Sequence, residues 1–335
     1  MRPLLFVFVV LFGAAPAEAQ QVEITSEEAG DAEAEIAPRD VLGGSPRALH
    51  GERFGAWLDA GFTGAGRSDE RAEFVFSPEL GVRFRPDRGL VVDAAWGFAL
   101  ATTSIRGEVT LGGDTISYAG TPVRFDPGNP RLSVSYSGAV APDVYLEVGL
   151  GAAVPTASRA QIGVDAPGLV ERSSSELNHR AAMAMRGYWS PWAWAPERFS
   201  LFVPVRIAGR LDDLLFHGEV GLGVMVPVLG DQGVDPDVVL QLAAGVGGRL
   251  SDALYIGVRL AGVGAPVGVT LPGPNAPGEP ASEAVVFSAQ PWLRLRFDPV
   301  QVTLRGVVNL NGADGVAGDR APPFGLFVGV GGEVD

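Results

Sequence analysis

Apolar and polar residues alternate at every second position through most of the chain beyond residue 52. In residues 72–84 the even positions are all apolar, whereas the odd positions include Glu73, Glu79 and Arg83. Successive side chains of a β-strand point to opposite faces. The pattern therefore predicts a strand with one apolar face and one polar or small face.

The same alternation recurs in eleven further segments, most of them 11 to 14 residues long. This length is sufficient to cross a bilayer when the strand is tilted. The twelve predicted strands are 53–63, 72–84, 90–102, 131–141, 143–154, 199–211, 215–228, 238–250, 253–263, 285–297, 300–311 and 324–334.

The connections between these strands alternate between short and long without a break. The short ones are 85–89, 141–143, 211–214, 250–253 and 297–300, and the long ones are 64–71, 103–130, 155–198, 229–237, 264–284 and 312–323. Short periplasmic turns and long extracellular loops are typical of outer-membrane barrels. We therefore predict an all-β fold, a transmembrane antiparallel up-and-down β-barrel of about 12 strands, with 14 strands as the alternative.

A soluble β-sandwich would also show alternation, with its apolar face turned to a core. Here the apolar faces carry Val, Leu and Phe from end to end, and the opposite faces are rich in glycine, alanine and serine as well as charge. A sandwich has no reason for strict alternation of loop lengths. A sheet in lipid must close so that no backbone edge stays unpaired, which favours the barrel.

The segment before the barrel has two parts. Residues 1–19 carry one positive charge at Arg2, an apolar run and an A-x-A site ending at Ala19, which is the pattern of a cleaved signal peptide. Residues 20–51 are predicted to form an acidic, mostly disordered periplasmic segment, because residues 20–40 hold seven acids and one arginine. The barrel is then expected to occupy residues 52–335.

Composition excludes several classes of function. The chain has no cysteine, so thiol catalysis and disulfides are absent, and it has no lysine, so a phosphate-binding P-loop cannot form. The net charge of −14 argues against nucleic-acid binding, which needs a basic surface. No cofactor and no metal site are predicted.

Residues 125–155, FDPGNPRLSVSYSGAVAPDVYLEVGLGAAVP, combine a GNP loop with a hairpin. In this stretch and in its overall architecture the chain resembles bacterial outer-membrane β-barrel proteins of the porin, transporter and OmpA-like types. The resemblance implies a cell outer membrane location in a Gram-negative bacterium. The partners it implies are outer-membrane lipid, lipopolysaccharide, the barrel assembly machinery and small solutes. Such barrels commonly end in an aromatic residue, whereas this chain ends in Asp335.

Charged residues concentrate on the predicted inward faces, where they avoid lipid. Asp59, Glu79 and Arg131 share this register. The candidates for lining the lumen and selecting solutes are Arg83, Arg85, Asp93, Glu147, Arg206, Arg210, His217, Glu219, Arg249, Arg259, Arg294, Arg296 and Arg305.

Three functions follow from this interior. The first is a passive channel or transporter for small solutes through a lumen lined with arginines and carboxylates, with a preference for anions because the later strands carry more arginine than acid. The second is a structural or surface-interaction barrel whose paired charges close the interior. The third is a hydrolase built on His217 and Glu219. No serine lies in a nucleophile motif, so we predict that the protein is not an enzyme.

The stretch YWSPWAWAP, residues 188–196, holds three of the six tryptophans, at the end of the longest loop. Interfacial tryptophans form aromatic girdles, which predicts that Trp189, Trp192 and Trp194 lie at the outer rim, with Trp96 as a further girdle candidate. Two alternatives stay open: a carbohydrate platform, or a loop that folds inward and narrows the pore with Arg180 and Arg186. If residues 177–189 were a strand, the count would rise to 14.

Overall fold

The structure is a computed structural model that describes the barrel and part of the segment inside it. The described residues are 54–64, 71–86, 89–111, 114–157, 175, 178–179, 181–228, 236–267, 285–297, 299–310 and 324–334. The predicted signal peptide and acidic segment lie outside these residues.

Fourteen β-strands form the fold. They are β1 (Phe54–Gly64), β2 (Arg71–Phe84), β3 (Leu90–Leu111), β4 (Asp114–Gly120), β5 (Val123–Pro127), β6 (Arg131–Ala141), β7 (Val144–Ala153), β8 (Arg198–Leu211), β9 (Leu214–Pro227), β10 (Asp237–Ser251), β11 (Leu254–Val267), β12 (Val285–Phe297), β13 (Val300–Asn309) and β14 (Phe324–Val334).

The sheet closes on itself. Each strand of the wall pairs antiparallel with its neighbours, β1 pairs with β14, and pairing between β2 and β3 completes the ring. Strand β4 belongs to a hairpin, and β5 and β6 pair in succession with β3 as one wall strand, so the other thirteen described strands form a wall of twelve strand positions. The predicted antiparallel barrel of about 12 strands is confirmed.

One predicted loop contains regular structure. Residues 103–130 were predicted to be a loop, but β3 continues to Leu111, and its outer half pairs with β4. With 22 residues, β3 is about twice as long as a strand needs to be to cross a bilayer. The β3–β4 hairpin therefore extends beyond the barrel wall. In that region the alternation of apolar and polar residues no longer distinguishes a strand from a loop.

The two faces of the wall match the predicted alternation. Large apolar side chains such as Leu80, Phe84 and Leu132 are half exposed on the outside, and Ser77, Arg83 and Ser133 are buried on the inside. An exterior of this kind is stable only in contact with lipid. The closed wall leaves no backbone edge for water to satisfy, so the fold is that of an outer-membrane barrel. No helix of the described residues is long and apolar enough to span a membrane.

Part of the longest connection lies inside the barrel. We call the described residues between 175 and 195 the inward segment. Residues 181–184 are helical, and a 3₁₀ turn follows at Pro191–Ala193. Three residues near the turn, Gly187, Tyr188 and Ser190, have left-handed backbone angles with φ between 56° and 65°. Tyr188 and Ser190 hold this strained conformation because the surrounding wall packs closely on the segment.

Candidate functional site

A layer of paired charges crosses the interior of the barrel. We call it the charged belt. It consists of five arginines and five carboxylates on the inward faces of nine strands: Arg83, Arg131, Arg206, Arg259, Arg305, Asp59, Glu79, Asp93, Glu147 and Glu219. Charges are costly in lipid, and the strand alternation directs them into the lumen.

The centre of the belt is a chain of ion pairs. Arg83 holds Asp93 through two hydrogen bonds, of 2.7 Å from Nε and 2.8 Å from Nη2. The same guanidinium lies 3.4 Å from Glu147, which also accepts a hydrogen bond from Arg206. Glu147 is 1 % exposed, so its charge depends on these two arginines.

The belt continues on both sides of this centre. Arg259 Nη2 lies 3.3 Å from Glu219 Oε1, and Arg206 Nε lies 3.8 Å from Glu219 Oε2. On the other side, Arg305 donates to Asp59 over 2.6 Å. Some pairs join neighbouring strands, such as Arg83 on β2 with Asp93 on β3. Others join strands that are not neighbours: Arg83 on β2 and Glu147 on β7 are three strands apart in the ring, so this pair bridges part of the lumen.

The predicted lumen residues fall into three groups. Arg83, Asp93, Glu147, Arg206, Glu219, Arg259 and Arg305 meet in the charged belt. His217 and Arg294 are buried on the inner wall, and Arg294 Nε approaches Thr303 Oγ1 at 3.4 Å. Arg85, Arg210, Arg249 and Arg296 lie at or near the strand ends that the short turns connect.

Two of the last group contact turn residues. Arg210 donates to the backbone oxygen of Asp212, and Arg249 pairs with Asp252, whose side chain is 95 % exposed. The strands that carry Arg210 and Arg249 reach the barrel mouth at these positions. The two arginines therefore have an inward register, but they do not lie in the middle of the lumen. Prediction from register alone does not resolve depth along the barrel axis.

An apolar layer surrounds the inward segment. We call it the apolar collar. Ten wall strands contribute buried residues to it: Val75, Ala99, Ala101, Ala153, Phe202, Met225, Val239, Val263, Val286, Val307 and Phe327. Met183, Met185, Trp192 and Trp194 of the segment pack against this ring and are at most 4 % exposed. The collar therefore closes the lumen in this conformation.

The girdle prediction is wrong for three tryptophans. Trp192 and Trp194 are 4 % and 0 % exposed and belong to the collar cluster, and Trp189 packs against the same cluster. They are inside the barrel because the loop folds inward, which was the alternative left open. Indole rings gain more from full burial against the inner wall than from a lipid headgroup contact.

Trp96 faces the outside, and its place in an aromatic girdle stays a prediction. It is 42 % exposed, lies 4.6 Å from Phe98 between ring centroids, and donates from Nε1 to the backbone oxygen of Gly128 over 2.8 Å. Phe98 in turn stacks on Phe125 at 5.5 Å. The outward aromatic surface of this part of the wall is built mainly from phenylalanine on β3 and β5.

A small cavity of about 40 Å³ lies between the collar and the belt. Trp189 and Ser190 of the inward segment line it together with Arg206, Glu219 and Gln241 of the wall. Its volume accommodates water and is far below the roughly 300 Å³ of a small-molecule site. The cavity therefore provides space for water next to Arg206 and Glu219 of the belt.

Two polar residues bind the inward segment and were not predicted from the sequence. Asn129 is 1 % exposed and donates from Nδ2 to the backbone oxygens of Trp192 and Ala195, at 2.9 and 2.7 Å. Ser77 accepts hydrogen bonds from Arg186. The GNP loop and the proline after Ser77 were the available signals, because both interrupt a strand pattern. Arg180 lies outside the described residues.

The inner-wall glycines provide room for rings. A Cβ atom at Gly97 would lie 2.8 Å from Trp194, and one at Gly223 would lie 2.9 Å from Trp192. Gly247 and Gly257 make the same space for Trp292, and Gly81 does so for Trp57. The inward glycines thus mark where aromatic side chains lie across the wall.

The histidine that suggested hydrolysis is buried on the inner wall. His217 lies against Gly245, and its Nε2 atom has no hydrogen-bond partner among the described residues. Glu219 is engaged with Arg206 and Arg259. In the part of the chain that is described, no group of three metal-ligating side chains is placed to hold an ion. The absence of enzymatic activity stays a prediction.

No protein-family model matches the sequence, and no characterised protein matches it. Among solved structures, the chain is similar to a NanC porin, with 9 % identity over 83 % of this chain and 100 % of that chain and a TM-score of 0.47. It is similar to the COG4313 outer membrane channel from Pseudomonas putida F1, with 10 % identity, 85 % and 96 % coverage and a TM-score of 0.48. It is also similar to LpxR from Salmonella typhimurium, with 10 % identity, 84 % and 100 % coverage and a TM-score of 0.42.

These similar structures are bacterial outer-membrane barrels. Their identities are too low to transfer a function to this chain. The barrel fold described above rests on this chain's own strand pairing. The finer resemblance to the OmpA-like type stays a prediction.

Proposed function

We propose that this protein is an outer-membrane channel for small solutes that is closed above its charged belt in this conformation. The observation that carries the proposal is the partial exposure of the belt. Arg131, Glu79, Arg206, Glu219, Arg305 and Asp59 keep 10 to 13 % of their side-chain surface exposed, although they lie inside the wall. Space for water at this depth, beneath an apolar collar, is what a closed aqueous path requires.

The proposed solutes are small anions. The charged belt is balanced, with five arginines and five carboxylates. On its periplasmic side the inward wall adds Arg85, Arg294 and Arg296, so the described lumen carries more arginine than acid. Positive side chains along a narrow path raise the local concentration of anions.

Ion conductance after reconstitution into planar bilayers tests this function. We expect infrequent current steps, because the collar must open, and a reversal potential in a KCl gradient that indicates chloride over potassium. Arg296→Gln is expected to weaken this selectivity. Arg249→Gln is the matched control, because Arg249 is held by Asp252 at a turn. The absence of steps at any voltage would contradict the channel.

The collar favours a second function, a closed structural barrel. Ten strands pack apolar side chains on the inward segment, and such packing stabilises the wall whether or not solute passes. In that case the ion pairs serve to hold the strands of the wall together. The same bilayer measurement separates the two functions, since a structural barrel gives no steps and no selectivity change in Arg296→Gln.

Lipopolysaccharide and the barrel assembly machinery are proposed as partners because the outward apolar band requires insertion into an outer membrane. Cleavage of the signal peptide near Ala19 is also proposed, because a protein of the outer membrane must be exported. Mass spectrometry of the protein extracted from outer membranes would identify its mature N-terminus. A mature chain that still begins at Met1 would contradict the cleavage.

A further inference from the structure

The inward segment docks where a proline interrupts the barrel wall. Pairing between β2 and β3 is broken between the Phe76–Leu100 pair and the Glu79–Gly97 pair, on either side of Pro78. Proline has no N–H to donate to the sheet. Ser77 Oγ compensates on one side of the break by donating to the backbone oxygen of Phe98 over 2.9 Å.

Arg186 of the inward segment binds Ser77 beside this break. Its Nη2 donates to the backbone oxygen of Ser77 and its Nη1 to Ser77 Oγ, both over 2.8 Å. Its guanidinium lies 5.0 Å from the ring of Trp194 and 5.3 Å from that of Phe327. Among the described residues no carboxylate lies within ion-pair distance of it.

Burial lowers the pKa of Arg186 to about 10, so the guanidinium stays protonated at neutral pH. Its two rings and its backbone acceptor replace the carboxylate that a buried cation otherwise needs. Ser77 remains the register partner of Gly61 on β1, and Arg186 adds donors to its carbonyl and hydroxyl oxygens beside the proline. The segment therefore supplies part of the hydrogen bonding of the wall.

A second interruption lies on the other side of β3. Residues 128–130 separate β5 from β6, and Gly128 N donates to the oxygen of Gly97 over 2.8 Å. Asn129 turns inward and binds the segment: its N–H donates to Ala193 O over 2.7 Å, and its Oδ1 accepts from the N–H of Ala157 over 2.8 Å. We call Ser77, Gly97, Asn129 and Arg186 the wall joint.

The opposite edge of the segment is held by side-chain stacking. Trp192 stacks on Phe202 of β8, with ring centroids 4.6 Å apart and an interplanar angle of 3°. Arg259 of β11 lies 4.0 Å from the ring centre of Trp189. Moving this edge separates stacked rings and a cation from a ring. Moving the segment away from the wall joint breaks the buried hydrogen bonds of Arg186 and Asn129, which costs more.

We propose that the wall joint is a fixed hinge of the inward segment and that the lumen opens at the opposite edge, along β8 to β11. This inference rests on the proposed channel function, because it names the side on which that channel opens. The segment remains bound at Ser77 and Asn129 while the indole rings of Trp189 and Trp192 leave Arg259 and Phe202.

Cysteine reactivity tests which side moves, because the chain has no cysteine of its own. Val239 of β10 and Val75 of β2 are matched: both are 0 % exposed, both face the segment, and their strands are six positions apart in the ring in either direction. Each variant, Val239→Cys or Val75→Cys, would be reconstituted in phospholipid vesicles and treated with a small water-soluble methanethiosulfonate.

We expect Val239→Cys to react about tenfold faster than Val75→Cys, which corresponds to a difference of about 1.4 kcal/mol in the free energy of opening. Arg186→Met in the Val75→Cys background is expected to remove the difference. Equal rates, faster reaction at position 75, or no reaction at either position would overturn the hinge. If one variant does not fold, Met225→Cys and Ala101→Cys replace the pair.

A failure of the hinge in the cysteine-labelling experiment can be distinguished from a failure of the channel proposal. Faster labelling at position 239 with no current steps in bilayers would retain the hinge and contradict the channel. Current steps with equal labelling at both positions would retain the channel and contradict the hinge.

Discussion

At the scale of single residues, Asn129 has the largest set of hydrogen bonds between the wall and the inward segment. Its side chain and backbone engage Ala157, Trp192, Ala193 and Ala195. An amide suits this position because it offers both donors and an acceptor in one plane. A leucine or an aspartate of similar size would satisfy only part of the set.

Asn129→Ala is expected to lower the free energy of unfolding by about 3 kcal/mol or more, because three buried backbone groups lose their partner. Thr156→Val is the control, since it removes one hydrogen bond, from Oγ1 to Gly128 O, and should cost about 1 kcal/mol. Urea unfolding in lipid vesicles, followed by tryptophan fluorescence, measures both. Equal costs for the two variants would show that Asn129 does not carry the docking.

At the scale of elements, the wall and the inward segment pack closely because glycines of the wall face aromatic rings of the segment. Trp194 is fully buried and lies over Gly97 of β3, next to the backbone oxygen of Pro78. The rings fill space that a side chain on the strand would occupy, so β3 and the segment approach more closely than two strands with side chains could.

Gly97→Ala is expected to lower the free energy of unfolding by about 1–3 kcal/mol, because the new methyl group would press on a ring with no room to move. Gly332→Ala is the matched control, since the nearest atom to its Cβ would be 3.5 Å away, and it should change stability by less than about 0.5 kcal/mol. The same unfolding measurement compares them. A neutral Gly97→Ala would mean that the segment can withdraw from β3.

At the scale of the whole molecule, the barrel is filled in two layers of different chemistry. The collar is apolar and closes the lumen around the inward segment, and the belt below it is charged and partly exposed. Ion pairs between strands that are not neighbours, such as Arg83–Glu147 and Arg305–Asp59, resist changes in the cross-section of the barrel. In the proposed channel, the belt would maintain the shape of the lumen when the collar opens.

Glu147→Gln is expected to destabilise the barrel by about 3–5 kcal/mol, because it leaves Arg83 and Arg206 facing each other around a neutral group. Asp252→Asn removes an exposed partner of Arg249 and should have no measurable effect. The temperature at which each variant loses its compact migration on an SDS gel ranks them. Identical temperatures would show that the belt does not support the wall.

The strands and their faces were predictable from the sequence for a physical reason. Each side of a membrane barrel strand meets one solvent, lipid outside and a polar interior inside, so alternation at period two is imposed locally and can be read residue by residue. This is why Arg83, Asp93 and Glu147 were placed on the inner wall before their partners were known. Pairing depends on register between strands, which alternation does not specify.

The position of the tryptophan loop was decided only by tertiary structure. Trp192 and Trp194 would have the same local sequence at a lipid interface and in a core, and what distinguishes the two is contact with residues far along the chain. Arg186 and Ser77 are 109 residues apart, and Asn129 and Trp192 are 63 apart. The sequence by itself determined a membrane barrel with a charged inner face. In the closed wall, Pro78, Gly97 and Asn129 lie around one point of β3. The hydrogen bonds formed there and the free volume over the glycine stabilise the loop inside the barrel.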